Sequence, residues 1–445
     1  MNYIDEIAKI NKKLQSPKAL VKTYGCQMNA RDSEKLSGML RDMGYGQAED
    51  EHDADLIIFN TCCVHENAEN RLYGNLGNCK ELKKQNPNLK LVLCGCMMQQ
   101  ESVLTKIRQS FPYTDVIFGT HNLYRFPELL HSNFETGSMI VDIWKEAKEI
   151  VEDLPSQREY PFKAGVNIMY GCDNYCTYCI VPYVRGRERS REMTDILTEI
   201  KGLVADGVVE VMLLGQNVNS YAYGFAELLH KVSEIDGLKR IRFTSNHPKD
   251  ITDDVIAAIR DLPKVCKHLH LPFQAGSSRI LELMNRKHTK QWYLDLVAKI
   301  RREVPGISLT TDIMVGFPGE TADDFACTID VVRQARFSAA FTFIYSRRLG
   351  TPADKMECGA SSEEINARFQ NLVSEVNAIL LEINQAKVGE VLDVLVEAVG
   401  KNGALNGRAD DNSLTHFAGD PSLIGKIVKV KILDAKTFYI EGEIV

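Results

Sequence analysis

Gly171-Cys172-Asp173-Asn174-Tyr175-Cys176-Thr177-Tyr178-Cys179 is a Cys-x3-Cys-x2-Cys run that follows the predicted strand Val166–Tyr170. Three thiolates on one tight loop hold three irons of a four-iron cluster and leave the fourth iron without a protein ligand. Electron-storage ferredoxins supply four cysteines, so a three-cysteine site points to chemistry at the open iron. The competing reading is a zinc site or a set of buried thiols. Zinc knuckles come as two Cys-x2-Cys halves, and no second half lies near residue 179.

The rest of the chain is compatible with an intracellular enzyme. Its 445 residues exceed one hydrophobic core, and about 150 residues per domain implies two to four domains. Composition is that of an ordinary globular protein, 44% hydrophobic and 25% charged. No apolar run approaches the ~20 residues of a membrane span, and the N-terminus lacks a signal peptide's apolar segment. The 12 cysteines therefore read as reduced thiols of a cytoplasmic protein, the clustered ones among them as metal-binding. A net charge of −7 argues against a general nucleic-acid binder but is compatible with a local basic face.

Upstream of the cysteine loop, residues 1–17 read as a short polar helix or a disordered lead-in. Strand and helix then alternate, the pattern of a doubly wound parallel sheet. Predicted strands are Ala19–Tyr24, Asp55–Asn60, Leu89–Leu93 and Asp115–Phe118, with helices at Asn29–Met43 and about Val64–Gln85. In such a sheet the C-terminal strand ends share one edge, where ligands bind. Three successive strands here end in cysteine, at Cys26, Cys62 and Cys96, so residues 34 to 36 apart are expected to converge. Cys63 and Cys94 flank these positions, and alternation along a strand lets only one of Cys62 and Cys63 face the edge. Cys79, within a helix, reads as core. Residues 132–160 shift in composition and read as a linker carrying one strand, Ser138–Ile143.

From Phe162 about six strand–helix units follow, with strands at Val166–Tyr170, Glu210–Leu214, Arg240–Thr244, Lys267–Leu271, Ser308–Met314 and Ala340–Tyr345. A (βα) repeat closes into a barrel at eight units, so six leave an open, partial barrel. Barrel enzymes carry their sites at the C-terminal strand ends. Here those ends are polar: Gly215-Gln216-Asn217, Ser245-Asn246-His247, Pro272-Phe273-Gln274, Asp312 with Gly316, and Ser346-Arg347-Arg348. A long helix, Ser362–Gln385, precedes alternating apolar stretches at Val391–Val396, Lys426–Ile432 and Phe438–Ile444, which suggest a small C-terminal β-barrel. The expected fold is α/β throughout, with parts at 18–140, 161–384 and 385–445 and a linker at 141–160.

Together these motifs resemble the radical S-adenosylmethionine (SAM) methylthiotransferases from about Thr23 to the C-terminus. Gly171–Arg191 (GCDNYCTYCIVPYVRGRERSR) is similar to the family's central signature, as are Gly215–Tyr221 (GQNVNSY), His270–Ser277 (HLPFQAGS) and Thr311–Glu320 (TDIMVGFPGE). The last 60 residues resemble a TRAM domain, a small RNA-binding module. Tyr24–Asn29 (YGCQMN) and Asn60–Ala68 (NTCCVHENA) resemble the branch that converts N6-dimethylallyladenosine in tRNA to its 2-methylthio derivative.

The resemblance implies that Cys172, Cys176 and Cys179 ligate the SAM-binding 4Fe-4S cluster, and that Cys26, Cys62 and Cys96 ligate an auxiliary one. Gln216, Ser245, Gln274 and Asp312, from the polar strand ends of the open barrel, are candidate SAM contacts. The resemblance also implies a radical attack on adenine C2, with the methylthio group delivered from the auxiliary cluster. The implied partners are a tRNA anticodon stem-loop, a flavodoxin-like electron donor and a sulfur source. Arg185, Arg187, Arg189 and Arg191 are candidate RNA contacts, because arginine pairs bidentately with phosphate. Phe273 and Tyr221 are candidates for an apolar lobe around the prenyl tail. His65 and Met98 stand where the family usually has arginine and alanine, and Arg347-Arg348-Leu349 replaces the usual Ser/Pro-Arg-Pro; none touches a ligand. Threonylcarbamoyl-adenosine in tRNA and a ribosomal-protein aspartate are rival substrates, against which YGCQMN speaks. A non-catalytic iron–sulfur RNA-binding protein is a rival of another class, against which the open-iron spacing speaks.

Overall fold

A computed structural model describes the chain except residues 1, 15, 64, 65, 148, 401 and 402, together with the side chains of 66–68. The described residues divide into two compact units. One comprises residues 1–159, 170–173 and 179–191; the other comprises 160–169, 174–178 and 192–445.

In the first unit a six-stranded sheet runs in the order Gly46–Gln47, Lys18–Thr23, Leu56–Thr61, Lys90–Gly95, Val116–Phe118, Ile140–Asp142. All its pairings are parallel. The central strands are near-continuous apolar runs (Leu56-Ile57-Ile58-Phe59, Leu91-Val92-Leu93) because helices cover both faces. Two apolar clusters result, one around Leu36, Met39 and Phe126, the other around Phe59, Leu76 and Ile107. The lead-in is a helix, Tyr3–Asn11, anchored by fully buried Ile7. Strand Ile140–Asp142 extends the sheet across the expected boundary at residue 140. The segment after it is not a free linker. Gln157 N–H donates to Glu34 O at 2.8 Å, and Lys35 and Glu152 form a buried ion pair at 2.6 Å. Helix Gln27–Asp42 has Gly38 where this segment passes, since a Cβ there would lie 2.4 Å from the Pro155 backbone.

The second unit contains the open barrel. Its strands are Lys163–Asn167, Glu210–Leu214, Arg240–Phe243, His268–His270, Ser308–Val315 and Ala339–Ile344, paired in parallel within two groups of three. A bridge between Ile241 and Val265 joins the groups. The first strand thus starts three residues earlier than Val166–Tyr170, and Met169–Tyr170 is a separate short strand. Leu269, Leu309, Ile313 and Val315 pack with residues of helices Phe225–Ser233, Lys290–Glu303 and Ala322–Ala335. The opposite, concave face carries His268, His270, Thr310 and Asp312: the two histidine rings meet Thr310 Oγ1 at 3.0 Å each, and His270 Nε2 lies 3.5 Å from Asp312 Oδ1.

The C-terminal strands form a closed barrel in the order Val391–Val399, Leu405–Ala409, Leu414–Phe417, Ile440–Ile444, Ile427–Ala435. Two of the five, Leu405–Ala409 and Leu414–Phe417, lie outside the expected apolar stretches. They are short and polar, and closure supplies their partners, including a parallel pairing of Leu414–Phe417 with Ile440–Ile444. The barrel docks on the N-terminal strand ends of the open barrel. Arg240 donates to Arg408 O and Asp393 O, and Arg242 donates to Ala409 O, Asp410 O and Glu210. No helix among the described residues is long and apolar enough to cross a membrane.

Candidate cofactor and substrate sites

Parallel pairing brings three strand ends of the first unit side by side. Thr23 is in register with Asn60, and Thr61 with Gly95. Cys26 then opens helix Gln27–Asp42 as its N-cap, Cys62 follows Thr61, and Cys96 opens a 3-10 turn, Cys96–Gln99. Two glycines permit the crowding. Gly25 has φ +126° and a Cβ there would lie 2.3 Å from Cys62 Cβ; Gly95 has φ +96° and a Cβ there would lie 2.3 Å from Thr61 O.

The thiols engage one another in pairs. Cys62 donates to Cys26, and that bond, helped by the Arg185 charge, pushes the Cys26 thiol down to about 5 against the effect of burial. Cys63 donates to Cys96, which holds the Cys96 thiol below its ordinary value and raises that of Cys63. Both members of the Cys62–Cys63 pair therefore face the edge. The strict alternation expected of them fails because the strand ends at Thr61. Cys94 lies within its strand among Ile58, Val92 and Val116, and burial raises its thiol. Cys79 is a core residue, as expected.

Asn29 and Arg185 organise this edge, a role that the sequence reading assigned to neither. Asn29 is fully buried; its Nδ2 donates to Thr61 O at 3.0 Å, and its Oδ1 accepts from Cys26 Sγ at 3.7 Å and Cys96 Sγ at 3.8 Å. Arg185, 4% exposed, donates from Nε to Cys96 Sγ at 3.0 Å. Its Nη2 donates to Asn29 Oδ1 at 2.9 Å and Asp32 Oδ2 at 3.0 Å. The signal available in sequence was that polar Asn29 and Asp32 stand one helical turn apart, in line with the apolar positions Leu36 and Met39.

The expected row of four RNA-facing arginines needs correction. Arg185 is consumed by the cysteine edge. Arg191 is buried 3.8 Å from Glu152, and half-buried Arg189 donates to Arg185 O and lies over the Tyr170 ring. Arg187 alone of the four is exposed, with Asp173 3.9 Å away.

In the second unit the middle of the cysteine loop is clamped by the turn after helix Ser278–Leu283. Thr177 N–H donates to Met284 O, and Asn285 Nδ2 donates to the carbonyls of Asn174 and Tyr175. Buried Cys176 accepts from Arg286 Nη1 at 3.8 Å, while Arg286 Nη2 donates to Pro272 O at 2.6 Å. Cys172 and Cys179 are half-buried and belong to the first unit.

Gln216, Ser245 and Gln274 follow consecutive strands of the open barrel, whose ends are linked by backbone bonds from Val218 to Ser245 and from Met314 to Gln274. Ser245 (φ +64°) and Gln274 (φ +68°) hold left-handed backbone, a strain that side-chain-bearing residues adopt where surroundings demand it. Asp312 is not at a strand end; it sits within Ser308–Val315 on the concave face. Tyr221 and Phe273 are corrected as prenyl contacts. Tyr221 is 3% exposed and Phe273 1%, the latter stacked on Phe337 and beside Tyr293 in the core. Phe341 and Phe343 are instead exposed, two residues apart and so on one face of the last strand, with Phe341 in register with Asp312 and its ring 5.9 Å from His270. Met98 is fully buried in the first unit's core, and His65 lies outside the described residues.

Residues 166–332 match the radical SAM superfamily, 18–119 match the uncharacterized protein family UPF0004, and 385–445 match the TRAM domain. The open-barrel fold has its likeness among solved structures in the radical SAM methyltransferase TsrM of Kitasatospora setae (TM-score 0.55, 14% identity, 76% of this chain and 77% of that one). The class of protein is thus a radical SAM protein with an added N-terminal sheet and C-terminal barrel. The chain is 52% identical to the tRNA-2-methylthio-N(6)-dimethylallyladenosine synthase of Acetivibrio thermocellus, over 100% of this chain and 95% of that protein. It is 52% identical to the protein of the same name from Lachnoclostridium phytofermentans, over 98% of each. It belongs to the tRNA-2-methylthio-N(6)-dimethylallyladenosine synthase family.

Proposed function

We propose that this chain methylthiolates C2 of N6-dimethylallyladenosine in tRNA, at position 37 beside the anticodon. The observation that carries this reading is identity of 52% along the whole chain to proteins named for that product. Its parts are an auxiliary-cluster region at 18–140 with residues 141–159 packed on it, a radical SAM region at 161–384 and an RNA-binding barrel at 385–445. The aromatic C2–H is too weakly acidic and too weakly electrophilic for acid–base chemistry, so SAM and 4Fe-4S clusters, when bound, supply the radical and the sulfur.

The chain's own residues hold and orient these groups. Cys26, Cys62 and Cys96 would hold the auxiliary cluster, and the donor set suits one: adjacent strand ends, two thiols shifted toward thiolate, and a buried cation beside them. Cys172, Cys176 and Cys179 would hold the SAM-binding cluster, with Arg286 beside Cys176. Gln216, Ser245, Gln274 and Asp312 are assigned to SAM. The adenine must leave its stack to be reached, most cheaply from a single-stranded loop. Its five-carbon tail needs an apolar contact, for which Phe341 and Phe343 are available. Arg187 and the C-terminal barrel are assigned to the tRNA backbone. A flavodoxin-like donor of electrons and a separate sulfur source complete the cycle, and the cytoplasm is the place of action.

Mass spectrometry of tRNA from a deletion strain, with and without this chain, tests the reading. Restoration of the 2-methylthio nucleoside at position 37 is expected. Restoration of a methylthio group only on threonylcarbamoyl-adenosine, or on none of the tRNA nucleosides, overturns it.

A further inference from the structure

Arg185 is six residues beyond the last cysteine of the Cys-x3-Cys-x2-Cys loop, yet its guanidinium ends against a different cysteine, Cys96. The side chain is almost wholly buried, and each of its three bonds lands on a group that shapes the same edge: the Cys96 sulfur, the Asn29 amide and the Asp32 carboxylate. A guanidinium is retained away from water only where charge and hydrogen bonds answer it. Asp32 supplies one negative charge, and three cysteine thiolates on a cluster supply more. An Asp32–Arg185 pair serving structure alone would not need Nε aimed at a sulfur 3.0 Å away. The planar fork fixes that direction, which lysine cannot copy.

We propose that Arg185 is a positioning residue of the auxiliary site, holding the Cys96 sulfur and setting the reduction potential of the cluster bound there. The inference rests on the reading of Cys26, Cys62 and Cys96 as that cluster's ligands. Hydrogen bonds to cluster sulfurs and the net charge around them are what tune such potentials. A donated N–H and a nearby positive charge both favour the reduced, more negative cluster. Removing them makes the cluster harder to reduce, whereas removing the Asp32 charge leaves Arg185 less compensated and makes it easier.

The experiment uses the full-length chain with Cys172, Cys176 and Cys179 changed to alanine, so that one cluster remains, reconstituted with iron and sulfide under anaerobic conditions. Iron content and a redox titration followed by electron paramagnetic resonance are measured for this parent, for Arg185→Met, for Arg185→Lys and for Asp32→Asn. In Arg185→Met the reduced fraction at the parent's midpoint should fall at least tenfold in ratio, which is 59 mV for a one-electron couple. Arg185→Lys should recover part of that shift, and Asp32→Asn should move the midpoint the other way. Should Arg185→Met not assemble a cluster, the upward shift in Asp32→Asn decides alone. A parent that binds about four irons, with midpoints unchanged in the Arg185 and Asp32 variants, overturns the inference and leaves the ligand reading standing. A parent that binds no iron overturns the ligand reading itself.

Discussion

At the scale of single residues, five cysteines crowd three strand ends, and burial with hydrogen bonding separates their roles. Cys94 is packed among aliphatic side chains while Cys96 lies under Arg185. Cys94→Ala is expected to keep the iron content of the unsubstituted chain and lose about 1 kcal/mol of stability from a small cavity. Cys96→Ala should lose about half the iron; equal iron contents in the two variants would contradict the assignment. Phe341 carries the second prediction at this scale. A five-carbon tail gains roughly 0.8 kcal/mol per buried CH2-sized group, up to ~3–4 kcal/mol in full. Phe341→Ala should therefore erode the preference for prenylated over unprenylated anticodon stem-loops by about tenfold, read from competition between the two RNAs. The same preference in Phe273→Leu should stay near the parent's, because that ring is in the core.

At the scale of elements, the cysteine edge depends on how each strand is brought to a stop. Gly95 ends its strand in a left-handed conformation, with Thr61 O against the position a Cβ would take. A backbone carbonyl in the sheet cannot move aside as a side-chain tip can. Gly95→Ala is expected to cost at least the ~1–3 kcal/mol of backbone strain and to disturb Cys96 directly. Its signature should be a lower urea midpoint together with loss of auxiliary-cluster iron; full iron retention would show that the strand end tolerates displacement. Gly137, by contrast, caps helix Phe126–Thr136 with nothing within 4 Å of the place a Cβ would occupy, so alanine there should meet only the backbone cost. The strand ends of the open barrel are held differently, by Ser245 and Gln274 in strained backbone and by the Arg286 bond to Pro272 O.

At the scale of the whole molecule, the C-terminal barrel is part of the second unit and not an appendage. Arg242 is 3% exposed and ties Glu210 to the carbonyls of Ala409 and Asp410; Asn384 ties the preceding helix to Lys436 and Thr437. Truncation after residue 384 would uncover this network, so it tests folding as much as RNA binding. Arg242→Met should cost about 3–5 kcal/mol by leaving Glu210 buried with Arg240 at 3.9 Å as its remaining cation. Limited proteolysis should then cut preferentially beyond residue 385. A cleavage pattern like the parent's would show that the dock does not depend on this pair. A second global prediction concerns acid. Burial, with nearby arginines, lowers His121 to about 4 and His268 and His288 to about 3. Unfolding returns each to about 6.5, so below that pH the unfolded chain binds more protons and stability falls as pH falls. The loss is about 1.4 kcal/mol per pH unit per histidine between pH 6.5 and 4. Urea midpoints measured at pH 7.5, 6.5 and 5.5 should fall more steeply over the second interval, where the histidines add their full slope, than over the first, where the lowered Cys26 and Cys96 thiols contribute most. His121→Asn should lessen the fall.

The amino-acid sequence by itself determined the periodic elements and the register of chemistry upon them. Continuous apolar strands separated by helices dictated parallel sheets, and parallel sheets forced Cys26, Cys62 and Cys96 to one edge, because only the C-terminal ends of such strands share an edge. Cys172, Cys176 and Cys179 needed no fold at all to be singled out as candidates, being within one loop. What only the tertiary structure decided was which polar groups are spent inside the protein. Arg185, Arg189 and Arg191 look in sequence like a basic run, yet they are drawn inward by Cys96, Asp32, Glu152 and a backbone carbonyl, and Cys96 stands 89 residues from Arg185 along the chain. Tyr221 and Phe273 look like mouth residues, yet core packing claims both, while Phe341 and Phe343 on the last strand of the open barrel are exposed. The physical reason is common to all of them: alternation and spacing are local, whereas burial is set by neighbours that the chain brings from afar.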